Sequence, residues 1–149
     1  MPADSDPSNR IVLPHTWRPF GARIAASVGG ACLLIVCLVA WFGLSDEMQA
    51  QFTPFQKLTM VGLFGLGFLV WFALVRSRVV AEEDRLIVVN GYRTHVYEWA
   101  EVVSITLVRG APWATLDLSD GTTMSALAIQ GSDGDRARIA VRQLRALLS

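Results

Sequence analysis

A few side chains in this 149-residue chain are of types that carry chemistry. His95 has the right type for a general base, but such a base needs a nucleophile and an orienting partner, and neither stands at a recognisable spacing. Glu98 with Glu101, and Asp117 with Asp120, could share acid and base roles or hold a cation. Nothing in the sequence makes these pairs more than turn-forming and solvated strand residues, so we predict no enzyme and no metal or cofactor site.

The other candidates for chemistry are better explained as structural residues. Cys32 and Cys37 lie five positions apart in one apolar run, where a disulfide between them would break a helix, so we interpret them as packing residues. The segment Gly131–Gly134 lacks the Lys-Ser/Thr pair of a phosphate-binding loop. Ser132 and Asp135 instead have the spacing of a capping box, which predicts that a helix begins there.

Two long apolar runs, Ile24–Leu44 and Leu58–Val75, organise the chain. Neither contains a charged residue, and each is about as long as the roughly 30 Å hydrocarbon core of a bilayer is thick. We predict a transmembrane hairpin. The chain as a whole has thirteen basic and thirteen acidic residues, so no global positive field indicates a nucleic-acid partner.

The charges that flank the runs predict the orientation of the hairpin. The connecting loop 45–57 carries two acids and one lysine, whereas arginines flank the other ends of both runs. Because basic flanks stay on the cytoplasmic side, we predict a multi-pass plasma-membrane protein with both termini in the cytoplasm. The first run is too long for a signal-peptide core and lacks a nearby small-residue cleavage site, which favours an uncleaved anchor. The flanking arginines are Arg18, Arg23, Arg76 and Arg78.

The segment before the first run divides into two parts. Residues 1–9 have the composition of a disordered terminus. In the following stretch, Arg10 to Arg23, the rings of Trp17 and Phe20 alternate with arginines. This mixture is typical of the headgroup layer, where we also expect His15, although a chance mixture in a linker would look the same.

Small residues in both runs predict close helix packing. Gly29 and Gly30 in the first run, and Gly62 and Gly65 in the second, would let helix backbones approach each other in lipid. They could pack the hairpin against itself, or they could form a face for a homo-oligomer or for another membrane subunit.

After Arg78 the apolar period changes to two, which predicts six short strands joined by hairpin turns. Asn90-Gly91 favours a type I′ turn, with positive φ at both central positions. A final amphipathic helix would cover the apolar face of the sheet.

We predict an α+β membrane protein with a two-helix hairpin and a partly closed antiparallel β-barrel or meander. Its expected divisions are an N-terminal segment 1–23, helices 24–44 and 58–75 around an outer loop 45–57, and a cytoplasmic domain 76–149. The expected strands are Val79–Glu83, Arg85–Asn90, Tyr92–Trp99, Val102–Val108, Trp113–Leu118 and Thr122–Ile129.

Arginines on the last helix form a stripe at spacings of four and three residues. Near a membrane, each such charge contributes about 1 kcal/mol of attraction to anionic headgroups. A solvated helix face paired to nearby acids is the alternative. Together with the arginines that flank the hairpin, the stripe completes the predicted lipid-contact set: Arg18, Arg23, Arg76, Arg78, Arg138, Arg142 and Arg145.

A group of known proteins shares this organisation. The residues that carry the likeness are Arg76 to Val80, Leu86 to Gly91, Trp99 to Val102 and the hairpin Leu116 to Gly121. The chain resembles actinobacterial membrane proteins with a bacterial PH-like domain, in particular the family named for low molecular weight protein antigen 6. The resemblance implies a helix-capped PH-like barrel at a membrane and no enzymatic activity. The PH fold has seven strands where the sequence indicates six.

Two functions follow as hypotheses. In the first, the hairpin presents the PH-like domain at the cytoplasmic face, where it binds a protein or peptide segment or lipid headgroups. In the second, the hairpin itself acts, as part of a small accessory subunit in a larger membrane complex. Glu82-Glu83-Asp84 stands where phosphoinositide-binding PH domains are basic, so we do not extend that activity to this chain.

Overall fold

Two long helices form where the sequence predicts the hairpin. The computed structural model describes residues 11–149, in which α1 spans Gly21–Gly43 and α3 spans Pro54–Arg76, each of 23 residues. At 1.5 Å per residue each is roughly 35 Å long, enough to cross a bilayer core. None of their side chains is buried, whereas the core helix of a soluble fold is mostly buried. The predicted disorder at residues 1–9 lies outside the described residues.

The loop between these helices is ordered by local caps. A short helix, α2 (Asp46–Gln51), begins after Ser45, whose hydroxyl accepts from the Met48 N–H. Thr53 and Gln56 form a capping box at the start of α3, where Pro54 occupies the first helical position. These caps satisfy amides that would otherwise be unpaired, and they turn the chain back on itself.

Seven strands within residues 11–149 form two antiparallel sheets. One sheet has the order β1-β2-β3-β4 and the other has the order β5-β6-β7. Alternation of apolar residues produced the expected strands, with ends shifted by one or two residues. The strands are β1 (His15–Trp17), β2 (Arg78–Ala81), β3 (Arg85–Asn90), β4 (Arg93–Glu98), β5 (Val102–Thr106), β6 (Trp113–Leu118) and β7 (Thr123–Gln130).

The strand that the sequence did not predict lies before the hairpin. β1 pairs with β2 in antiparallel register, with Trp17 opposite Val79. Trp17, which we expected in the headgroup layer, is only 8% exposed in the core, and its Nε1 donates to Gln143 Oε1 at 3.1 Å. Its indole buries a large apolar area and still finds a polar partner, so the core is the more favourable place for it.

The two sheets do not close into a barrel, which corrects the barrel part of the predicted fold. A 3₁₀ turn at Trp99–Glu101 separates β4 from β5, and these strands do not pair. On the other side β7 packs against β2 and β3. There the side chain of Asn90 donates to the Ser125 carbonyl at 2.5 Å and accepts from the Leu127 N–H at 3.1 Å. One side-chain amide thus bridges the sheets in place of a strand ladder.

The C-terminal helix covers the core as predicted. α4 spans Asp135–Leu148 and buries Ala137, Ala140, Val141 and Leu144. The predicted capping box is wrong, because the residue before the helix is Gly134, with φ +59°, and no side chain caps this helix. This left-handed conformation suits glycine and sets the direction in which α4 begins.

The burial of Trp17 leads to a prediction about stability. Trp17→Ala should lower the free energy of unfolding by about 3–5 kcal/mol, because it empties a core site. Trp113→Ala is the matched control, since Trp113 is 39% exposed and its loss should cost clearly less. Denaturant unfolding of the full chain in detergent, followed by near-ultraviolet circular dichroism, measures both. Equal losses would contradict a structural role for β1.

Candidate functional site

The domain is joined to α3 without a linker. Only Ser77, which is buried, separates Arg76 at the end of α3 from Arg78 at the start of β2. The Ser77 hydroxyl donates to the Ala73 carbonyl at 3.0 Å and accepts from the Gly91 N–H at 2.9 Å. The helix and the first hairpin of the domain are therefore fixed to each other.

The turn between β3 and β4 packs along α3. Its central residues are Gly91 and Tyr92, and only Gly91 has positive φ, which fits a type II′ turn and corrects the predicted type I′. The Tyr92 hydroxyl donates to the Leu69 carbonyl at 2.7 Å. Leu69 lies roughly two turns, or roughly 10 Å, before the end of α3. The turn thus reaches well along the apolar helix.

A carboxylate from the domain caps α1. Asp133, in the 3₁₀ turn Gly131–Asp133, accepts from the Phe20 N–H at 3.0 Å and from the Gly21 N–H at 2.8 Å. A Cβ on Gly21 would lie 2.8 Å from Asp133 Oδ1, so glycine permits this approach. The guanidinium of Arg136 lies 3.8 Å from the centre of the Phe20 ring. Capping and cation–π contacts therefore hold α1 and α4 together.

These contacts define what we call the helix-proximal end of the domain: the Ser77 junction, the turn Gly91–Tyr92, the loop 107–112 and the turn Gly131–Gly134. The loop 107–112 belongs to this end because the Gly131 N–H donates to the Pro112 carbonyl at 3.0 Å. The opposite, distal end contains residues 82–84, 98–101 and 119–122. There Trp99 Nε1 donates to the Glu82 carbonyl at 3.0 Å, and the Ser119 N–H donates to the Glu101 carbonyl at 2.8 Å.

The fold sorts the charges of the domain between these two ends. Successive strands run in opposite directions, so alternate turns meet at the same end. Among residues 11–149, the helix-proximal end has two acids, and both are engaged: Asp133 caps α1, and Asp135 pairs with Arg138 at 3.4 Å. Although its net charge is near zero, the domain therefore has one basic end and one acidic end. The helix-proximal arginines are Arg18, Arg23, Arg76, Arg78, Arg93, Arg109, Arg136 and Arg138, and the distal acids are Glu82, Glu83, Asp84, Glu98, Glu101, Asp117 and Asp120.

Electrostatic effects at the distal end agree with this sorting. Hydrogen bonds from Thr122 hold the pKa of Asp120 below its usual value, and bonds from Arg85 do the same for the pKa of Asp84. Burial, and then the nearby Asp120 and Glu101, raise the pKa of Tyr97. Asp84 and Asp120 are therefore ionised at neutral pH and contribute negative charge to the distal end.

The arginines predicted to contact lipid divide into two groups. Five of them lie at the helix-proximal end, whereas two lie further along α4. Arg145 donates to the Ile105 carbonyl at 2.7 Å and so holds α4 to β5. Arg142 makes no hydrogen bond or ion pair within residues 11–149. Contact of any of these arginines with lipid stays a prediction.

Three further arginines at the helix-proximal end were not in the predicted lipid-contact set. Arg93 follows the turn after β3, Arg109 lies in the loop after β5, and Arg136 is in the first turn of α4. The rule that alternate turns of a meander share an end could have found the first two from the sequence.

Two open grooves adjoin these arginines. The α4 groove, of about 560 Å³, combines three guanidinium groups with apolar walls. The α1 crevice, of about 340 Å³, lies where α1 meets the end of α3. The α4 groove is lined by Leu107, Asp135, Arg138, Ile139, Val141, Arg142 and Arg145.

The residues first considered for catalysis have structural partners. His95 stacks on Tyr97, with ring centres 6.2 Å apart. Glu101 accepts from the Glu98 N–H at 2.8 Å, and Asp120 accepts from the Thr122 N–H at 2.8 Å. Asp117 accepts from the Ser104 hydroxyl. Among residues 11–149, no three His, Cys, Asp or Glu side chains are grouped as a metal site would require.

The four glycines expected to pack helices face open space. A Cβ added at Gly29, Gly30, Gly62 or Gly65 would meet nothing within 4 Å, so these residues do not mediate contact between α1 and α3. The helices instead meet through Trp71 Nε1, which donates to Ser27 Oγ at 2.9 Å. Packing of the glycines against another chain stays a prediction.

Comparisons with known proteins agree with this architecture. A family model described as a bacterial PH domain matches residues 76–147, which include β2 to β7 and most of α4. Three curated relatives are 31% identical over 142 residues, which cover 93% of this chain and 88% of each relative. They are the uncharacterized proteins Mb1452 of Mycobacterium bovis and MT1460 and Rv1417 of Mycobacterium tuberculosis. No solved structure matches the chain.

The Asp133 cap leads to a prediction about the junction. Asp133→Ala should destabilise the protein by about 0.5–2 kcal/mol, because two amides of α1 lose their acceptor. Gly21→Ala should act in the same direction, since its Cβ displaces the carboxylate. Denaturant unfolding of the full chain in detergent measures both.

The control for this prediction is Asp135→Ala, two residues away. Its side chain is 89% exposed and, within residues 11–149, pairs with Arg138 alone, so little stability should be lost. An Asp133→Ala variant no less stable than Asp135→Ala would show that the cap contributes nothing.

Proposed function

Because this chain belongs to the bacterial PH domain family, we propose that it is a non-enzymatic integral membrane protein that presents its PH-like domain to partners at the cytoplasmic face. PH-like domains are generally non-catalytic interaction domains. The observation that carries the proposal is the helix-proximal end, where the two apolar helices meet a concentration of arginines.

The position of β1 supports an uncleaved hairpin. β1 precedes α1 and β2 follows α3, yet the two strands pair, so both outer ends of the hairpin lie on one side. Cleavage after α1, as in a secreted protein, would remove β1 and Trp17 from the core of the domain. The signal-peptide alternative would therefore cost the domain an edge strand and its buried indole.

The arginines support a cytoplasmic orientation. Basic residues at helix flanks are retained on the cytoplasmic side, where anionic headgroups attract them. In this orientation the helix-proximal end would lie on the headgroups, while the acidic distal end would point into the cytoplasm. The domain would then bind lipid at one end and leave its sides open to a protein or peptide.

The α4 groove offers a surface for such a protein or peptide partner. Arg142 and Arg138 supply positive charge, and Leu107 and Ile139 supply apolar contacts. A carboxylate side chain flanked by apolar residues would match this combination.

A membrane test comes first. The full chain should stay in the membrane pellet after alkaline carbonate extraction, and a reporter fused after Ser149 should be active in the cytoplasm. Release into the supernatant would contradict the anchor, and an extracytoplasmic reporter would contradict the orientation.

A second function remains, because α1 and α3 bury no side chain and their glycines face open space. The hairpin could serve as an accessory subunit that packs through these glycines against a larger membrane complex. Small residues on an open helix face permit such packing. Co-purification of partners in detergent separates this function from the first.

Co-purification from detergent distinguishes the two functions. If the domain recruits the partner, Arg142→Glu should lower its recovery about tenfold, as expected for a loss of roughly 1.4 kcal/mol, and Gly62→Leu with Gly65→Leu should not. If the hairpin recruits it, the glycine variant should fail instead. Arg85→Glu, at the distal end, is the matched charge control. A partner retained by all three variants would contradict both surfaces.

A further inference from the structure

The α1 crevice lies where the headgroup layer would meet α1 and α3, and it has a graded chemistry. Arg23 and Phe20 line the part nearest the domain, and Val28 lines the part more than one helical turn deeper along α1. Val75, near the end of α3, forms part of the opposite wall. A positive charge is thus followed by apolar surface along the direction of the helix.

No partner within the described part of the chain neutralises Arg23. Its side chain is half-buried, and no hydrogen bond or ion pair to it forms within residues 11–149. A guanidinium at the edge of an apolar crevice is best satisfied by a phosphate or carboxylate, which it can bind with two parallel hydrogen bonds. A second guanidinium is close, because Arg136 stacks on the Phe20 ring that lines the crevice.

Ser27 adds a polar group between the charge and the apolar wall. Its hydroxyl oxygen accepts from Trp71 Nε1 at 2.9 Å, and no acceptor within residues 11–149 takes its own proton. A serine hydroxyl can accept and donate at once, so this proton is available to a carbonyl oxygen in the crevice. Arginine, hydroxyl and aliphatic side chains therefore follow one another over little more than one turn of α1.

The same order of groups occurs in a glycerophospholipid, which has a phosphate, then an ester carbonyl, then an acyl chain. Resting on the proposed membrane anchoring, we propose that the α1 crevice binds one anionic glycerophospholipid from the adjacent leaflet. Its phosphate would pair with Arg23, an ester carbonyl would accept from Ser27, and an acyl chain would lie over Ile24, Val28 and Val75. The two guanidinium groups favour an anionic headgroup over a zwitterionic one.

Native mass spectrometry of the full chain in detergent tests this site. After addition of phosphatidylglycerol, the wild type should retain one lipid per chain, and Arg23→Gln should retain about tenfold less, because a charge-assisted contact is lost. Val28→Trp should also lower retention by filling the crevice, and it should not unfold the protein, since Val28 is exposed. Arg85→Gln, at the distal end, should retain lipid like the wild type.

Several outcomes would overturn the proposal. These are equal retention by Arg23→Gln and the wild type, equal retention of phosphatidylcholine and phosphatidylglycerol, and displacement of the lipid by free glycerol phosphate at the same concentration. The last result would indicate a phosphate site without an acyl-chain site. Carbonate extraction distinguishes the failure of the lipid site from the failure of the membrane anchor. If the protein resists extraction but shows any of these outcomes, the anchor is supported and only the lipid site is contradicted.

Discussion

The free amides at the start of α1 need hydrogen-bond acceptors. The contact that supplies the acceptor also fixes α1 relative to the sheets. A helix leaves its first N–H groups unpaired, and an apolar helix such as α1 has few polar side chains of its own to cap them. Here the acceptor is the carboxylate of Asp133, which lies more than a hundred residues further along the chain, in the turn between β7 and α4. With the Ser77 hydrogen bonds at the end of α3, this contact sets both helices in one orientation relative to the sheets.

The periodic parts of the chain were predictable from sequence. Alternation located β2 to β7, helical spacing identified the buried face of α4, and apolar length identified α1 and α3. Each of these signals extends over several residues, and in β2 to β7 and in α4 the burial of one face enforces it. Their ends moved by a few residues because capping, rather than hydrophobicity, decides where an element stops.

The elements that sequence reasoning missed depend on distant partners. β1 has three residues, too few for a pattern, and it is a strand only because Val79–Ala81 lies beside it. Asp133 resembles any acid in a helix lead-in until Phe20 and Gly21 are placed next to it. The net charge also concealed the separation of charge in the domain. Acids and arginines cancel in the total, but they lie at opposite ends of the strands. The candidate site was therefore only partly predictable: its flanking arginines were found, but Arg93, Arg109 and Arg136 at the same end were not.

The pairing of β1 with β2 has a consequence for how the protein is made. Synthesis delivers β1 and Trp17 first, then both long helices, and only later the strands and Gln143 against which they pack. If the hairpin inserts into a bilayer as proposed, the N-terminal strand must stay unpaired during insertion. The closing contacts join residues far apart in sequence, which slows folding. On that proposal, the domain would reach its final state only after both helices had been inserted with their outer ends on one side. Complete folding of the domain would thus require correct insertion. A chain inserted the wrong way would be left with an exposed sheet edge and an exposed core.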